Sequence, residues 1–161
     1  MLFRSLISEP PLEALDTIER FCNEYDINLA IHNHGQEASP HYWSPEAVMN
    51  VCEGRGPRIG VCADVGYWMR SGIDPIAAVS KIGDRLFVVQ MHDLHEVSSE
   101  GHDVPWGTGA GRSREFFEEI HRQGIRPKMF GLEYSYDWLD SMPEVKQSAR
   151  FFDEVTLDLA G

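Results

Sequence analysis

Two histidines, His32 and His34, close the stretch Leu-Ala-Ile-His-Asn-His-Gly. Three later apolar runs end in Asp64, in Gln90 with His92, and in Glu133. Imidazoles and carboxylates are the side chains that ligate divalent metals and carry protons near neutral pH. If each run is a β-strand, its side chains alternate between faces, so His32 and His34 lie together with Asn28 and Ala30, opposite Ile27, Leu29 and Ile31. By the same rule Asp64 shares a face with Gly60 and Cys62, His92 with Leu86, Val88 and Gln90, and Glu133 with Met129 and Gly131. Taken singly, each polar end reads as a solvated residue or as a cap for the following helix. Four in succession point to a shared metal site, with nitrogen and oxygen donors that suit Mn, Zn or Co, and Mg less as more histidines take part.

Such a site needs elements to hold it. Ser44-Pro45-Glu46 and Asp74-Pro75 each place a capping side chain before a proline at the first helical position, predicting helices that end near Gly54 and Gly83. Leu12, Leu15, Ile18 and Cys22 form a helical stripe after Pro10 and Pro11, and Ser113 is expected to cap a segment striped by Phe116, Phe117 and Ile120. A last helix is predicted over 143–159 with Val145, Ala149, Phe152 and Val155 inward. Strand character falls at 4–8, 27–34, 58–64, 86–93 and 128–134. Strict alternation of strand and helix means βαβ units, hence a parallel sheet with right-handed crossovers. No linker, repeat or low-complexity stretch divides residues 1–161, which predicts one α/β domain. Ligand sites in such folds lie at the carboxyl ends of the strands, where the polar residues fall.

Composition narrows the partners. Among 161 residues, 14 basic side chains face 26 acidic ones, a formal charge of -12 that disfavours nucleic acid and anionic membrane surfaces. Cys22, Cys52 and Cys62 are odd in number, form no C-x-x-C pair and sit in apolar patterns, as reduced thiols of a cytoplasmic protein do. The opening "MLFRSLISEPP" is too short in its apolar part for a secretion signal, and no apolar run approaches the roughly 18 residues of a membrane span.

The stretches "LAIHNHGQE", "PRIGVCADVGYWMRSGIDP", "GDRLFVVQMHD", "DVPWGTGAG" and "GLEYSYD", in that order, resemble the sugar phosphate isomerase/epimerase group of the xylose isomerase-like barrels. The resemblance implies a (β/α)8 TIM barrel of which this chain carries about five strands, beginning near the fourth. A whole barrel takes about 250 residues, so a longer natural chain, or a second copy of this one, is expected to complete it. It implies one divalent ion held by His32 (Glu in many relatives), Asp64, a position in "VVQMHD" and Glu133. Relatives read H-x-K-D where this chain has Gln90, Met91, His92 and Asp93. Gln90 thus stands in the usual ligand position, with His92 one pleat further on as the alternative. Relatives also tend to place His where this chain has Tyr67.

The implied reaction is isomerisation or epimerisation of a sugar, sugar phosphate or polyol through an enediolate, with Glu133 as acid/base and Glu37 as the second carboxylate. His34 is expected to orient a ligand or the substrate. Tyr67, Trp68, His102, Asp103 and Trp106 are expected to contact the substrate, with Trp43 as a further wall, and Arg112 and Arg114 are candidates for a substrate phosphate. Two other readings stay open at this point: a sugar-binding remnant without activity, suggested by Gln90 and Tyr67, and a metal-dependent phosphodiesterase like endonuclease IV, against which the charge argues.

Overall fold

The computed structural model describes residues 4–137 and 139–161; residues 1–3 of the opening stretch lie outside the described residues. Five strands, β1 (Ser5–Ser8), β2 (Asn28–His32), β3 (Ile59–Asp64), β4 (Leu86–Met91) and β5 (Met129–Leu132), run parallel in chain order, each paired with the next. Between and after them come α1 (Leu15–Tyr25), α2 (Pro45–Cys52), α3 (Val65–Arg70), α4 (Pro75–Ile82), α5 (Ser113–Arg122) and α6 (Met142–Ala160). This is a curled half-barrel of βα units: the parallel sheet expected from the alternation, and the partial TIM barrel that the resemblance implies.

The helix starts follow from the sequence. Ser44 accepts a hydrogen bond from the Ala47 amide and Asp74 from the Ile76 amide, each with proline next in line. Ser113 behaves differently from expectation. It is the first residue of α5, and its hydroxyl donates to Asp93 while Arg112 takes the capping position in a left-handed conformation. On α6, Val155 is buried as expected, but Ala149 is exposed. The neighbouring Ser148 takes the buried position and accepts from the Trp106 amide.

Apolar side chains divide between two faces. Leu29, Ile31, Ile59, Val61, Ala63, Leu86, Val89 and Met91 pack outward against the helices. Ala30, Cys62, Phe87 and Val88 pack on the concave side, with Met129 against them. Strict alternation from Leu86 fails because the β3–β4 register shifts between Val61 and Cys62, so that Val61 pairs with Leu86 but Cys62 with Val88. The extra residue, Phe87, swings its ring under Gly60, where an added Cβ would lie 2.5 Å from the ring and 2.6 Å from the Arg85 carbonyl oxygen. The bulge keeps Val88, Gln90 and His92 on the concave side while releasing Leu86 to the helices.

Candidate metal and acid/base site

Three of the strands stop two residues short of the predicted ends, so His34, His92 and Glu133 stand just beyond β2, β4 and β5 rather than within them. Asp64 closes β3 and opens α3. Its Oδ1 accepts from the Tyr67 amide at 2.8 Å, capping a short helix that the sequence reading did not anticipate. Its Oδ2 faces His32 Nε2 at 3.5 Å and His92 Nε2 at 3.7 Å. One carboxylate thus serves as helix cap with one oxygen and as site member with the other. Asn33 fixes it further: Oδ1 accepts from the Asp64 amide at 2.8 Å and Nδ2 donates to the Asp64 carbonyl at 3.1 Å, tying the ends of β2 and β3 together.

His92 is the centre of the cluster. Its Nδ1 and Asp103 Oδ1 are hydrogen-bonded at 2.6 Å, and Asp103 Oδ2 is held in turn by the Ser135 amide and hydroxyl. A proton on Nδ1 leaves Nε2 as the free nitrogen, aimed between Asp64 Oδ2 and Glu133 Oε2, each 3.7 Å away. This Nε2 is buried with no hydrogen-bond partner. Gly66, at the start of α3, makes room for the imidazole: a Cβ there would sit 2.7 Å from the ring. The ligand atoms of Asp64, His92 and Glu133 all lie within 4.8 Å of one another.

Electrostatics show what this cluster attracts. Burial by itself would depress the His92 pKa, but Asp103, Asp64 and Glu133 outweigh it and hold the imidazole well above its ordinary range. Burial would raise Asp64, yet His32, His92 and the Tyr67 amide keep its carboxyl far below the usual carboxylate value. Burial likewise opposes ionisation of Asp103, and contacts with His92 and Ser135 overcome it. Three carboxylates thus surround one imidazole and demand a positive charge at Nε2. A proton there, or a divalent cation in its place, meets that demand, so the residues present fit a metal.

Beside this group lies a second one. Glu9, just past β1, hydrogen-bonds His34 Nδ1 through Oε1, and the same oxygen is 3.7 Å from His32 Nδ1. Tyr67 completes a wall here, its ring centroid 4.7 Å from that of His34 and 6.4 Å from that of His32. Glu9 was not singled out from the sequence, although the alternation that paired the histidines also places Ser5, Ile7 and Glu9 on one face.

Other expected site residues stand elsewhere. Gln90 Oε1 accepts from the Cys62 thiol at 3.4 Å on the concave side, apart from the Asp64–His92–Glu133 group. Glu37 is exposed in the loop after β2. Trp68 and Trp106, expected as substrate contacts, are instead buried in the helix-side core. Asp103, expected at the substrate, is buried against His92. His102 is stacked between His95 and Tyr136, with centroids 3.8 and 4.2 Å apart. Arg112 lies near Asp74 and Glu115, and Arg114 near Asp158, as exposed surface ion pairs away from both clusters. His41 and His121 are exposed and lie outside both clusters.

No curated protein matches the sequence significantly. Among solved structures, an uncharacterised protein from Parabacteroides distasonis ATCC 8503 is 34% identical with a TM-score of 0.65, covering 94% of this chain and 58% of its own. The structure of L-ribulose 3-epimerase matches at TM-score 0.78 and 13% identity over 98% of this chain and 62% of its own. A D-tagatose 3-epimerase-like protein matches at 0.76 and 15%, over 98% and 63%. The chain thus spans about three fifths of the length of these structures. The family profile described as xylose isomerase-like TIM barrel matches residues 11–155. The chain belongs to the xylose isomerase-like TIM barrel family.

Proposed function

We propose that the protein is part of a metal-dependent isomerase or epimerase acting on a sugar, sugar phosphate or polyol derivative. The observation that carries this reading is the buried, unpartnered Nε2 of His92, oriented by Asp103 and flanked by Asp64 and Glu133. Asp64, His92 and Glu133 would hold the ion, with His32 donating to Asp64 from behind. An ion bound there supplies a Lewis acid that polarises a substrate carbonyl and steadies the negative charge of an enediolate. Glu133 is the proton carrier. Its side chain is 46% exposed, whereas Asp64 is 1% exposed and occupied in capping α3, so Glu133 is the carboxylate within reach of a substrate carbon. This group can take the proton from one substrate carbon and return it to the neighbouring carbon on the same face, while the hydroxyl proton passes between the two substrate oxygens; together these transfers interconvert aldose and ketose. The solved structures of sugar epimerases with the same fold support a small polyhydroxylated substrate over a nucleic acid, as does the charge of -12. Three buried free thiols agree with a reducing, cytoplasmic setting.

Additional strands, from a longer chain or a second copy, complete the mouth in this reading. The test is isotope exchange in the Mn2+-loaded, completed barrel. Ketoses deuterated at the carbon next to the carbonyl should lose deuterium to solvent, and Glu133→Gln should slow the loss by at least 100-fold. Retention of deuterium by the wild-type protein across a panel of ketoses would remove isomerase chemistry from consideration.

A further inference from the structure

We propose that Glu9, His32 and His34 form a second divalent-cation site, adjacent to the Asp64–His92–Glu133 group and additional to the single ion of the reading above. The ligand atoms of these three residues lie within 4.8 Å of one another, and no other triad of His, Cys, Asp and Glu among the described residues does so apart from the first site. The elements supply the geometry. His32 ends β2 and His34 follows two residues later on the same side, while Glu9 leaves the neighbouring β1.

His32 carries the argument. Its Nε2 faces Asp64 Oδ2 at 3.5 Å and its Nδ1 faces Glu9 Oε1 at 3.7 Å. Carboxylate oxygens thus face both ring nitrogens and favour positive charge between them. An imidazole with its one proton on Nε2, toward Asp64, offers the Nδ1 lone pair to a cation held beside Glu9 Oε1. His34 Nδ1, already in contact with the same glutamate oxygen, contributes the third bond once its proton leaves. Two imidazoles and one carboxylate with a remaining open position is a donor set for Zn2+ or Co2+ and a poor one for Mg2+. The site is also accessible, since the His34 side chain is 40% exposed and that of Glu9 25%.

The experiment counts ions. The 161-residue chain is stripped of metal, equilibrated with a small excess of Zn2+, passed through a desalting column and analysed for zinc per chain, with a parallel Co2+ titration followed by visible absorption. Wild type is expected to hold two ions. His34→Ala and Glu9→Gln should each hold one, with affinity for the second ion reduced at least tenfold, and Glu133→Gln should keep the ion at Glu9, His32 and His34. One ion in wild type, unchanged by His34→Ala and Glu9→Gln, overturns the second site and leaves the proposed function standing. One ion that is lost in His34→Ala but retained in Glu133→Gln upholds the second site and removes the first. Metal-free melting of each variant, with His34→Asn as the milder alternative, verifies that the fold persists.

Discussion

Asp103 shows how a loop residue expected at the substrate can instead pack against another member of the cluster. Its place in a glycine-rich loop after a strand suggested substrate contact, but burial on His92 and two hydrogen bonds from Ser135 make it the group that orients an imidazole. Loss of such a partner typically lowers metal affinity 10- to 100-fold. Asp103→Asn is therefore expected to weaken Mn2+ binding by about that factor in calorimetric titration, with affinity unchanged if Asp103 plays no part in orienting His92. His32, Asp64, His92 and Glu133 were legible because alternation along a strand is a local rule that survives a strand ending two residues early. Glu9 obeys the same rule, but β1 is only four residues long and Glu9 lies beyond its end, so alternation over so short a run carries little signal. Trp68 and Trp106 were misplaced because position in a loop or at a helix start does not say which way a side chain turns. Asn33 carried no signal at all: its two bonds to the Asp64 backbone bridge positions 31 residues apart.

At the scale of elements, caps and alternation located all five strands and five of the six helices. The helix without a predicted range, α3, follows Asp64, a residue type that suits both a cap and a ligand; one oxygen caps and the other faces the histidines. The β4 bulge was hidden for a different reason. Leu86 and Phe87 are both apolar, so nothing in their types marks a two-residue step where the strand changes phase, and Gly60, which admits the Phe87 ring, lies on another strand. A methyl at position 60 meets the Arg85 carbonyl as well as the ring, and backbone gives way less readily than a side chain. Gly60→Ala is expected to destabilise by about 1–3 kcal/mol, as overpacking of a core does. Urea unfolding measures it, and an unchanged midpoint would mean that the bulge does not hold Phe87 against β3. The Gly-rich segment after β4 is fixed by Asp93, which accepts from the amides of Gly107, Gly109 and Gly111 and from the Ser113 hydroxyl. That role explains why the loop is ordered and why Ser113 does not cap its own helix.

For the whole molecule, the half-barrel gathers one side of a mouth: β1 to β5 deliver Glu9, His32 and His34, Asp64, His92 and Glu133 to the same end of the sheet. No helix among the described residues is long and apolar enough to cross a membrane. The outer strand β1 carries Leu6 at 59% and Ile7 at 39% exposure, apolar residues at a free sheet edge. Family membership and strand order were readable from ordered motifs, while the substrate is determined by groups facing the metal from around a whole mouth. A divalent cation held by Asp64, His92 and Glu133, as proposed, binds the folded chain and not the unfolded one, and so raises the unfolding temperature. At about 100 times the dissociation constant the gain is roughly 2.7 kcal/mol, or about 5–10 °C for a chain of this size. Asp64→Asn keeps the helix cap and removes the ligand charge. Thermal unfolding with and without Mn2+ is expected to show that rise in wild type and less than half of it in Asp64→Asn; an equal rise in both, or none in wild type, contradicts the metal site.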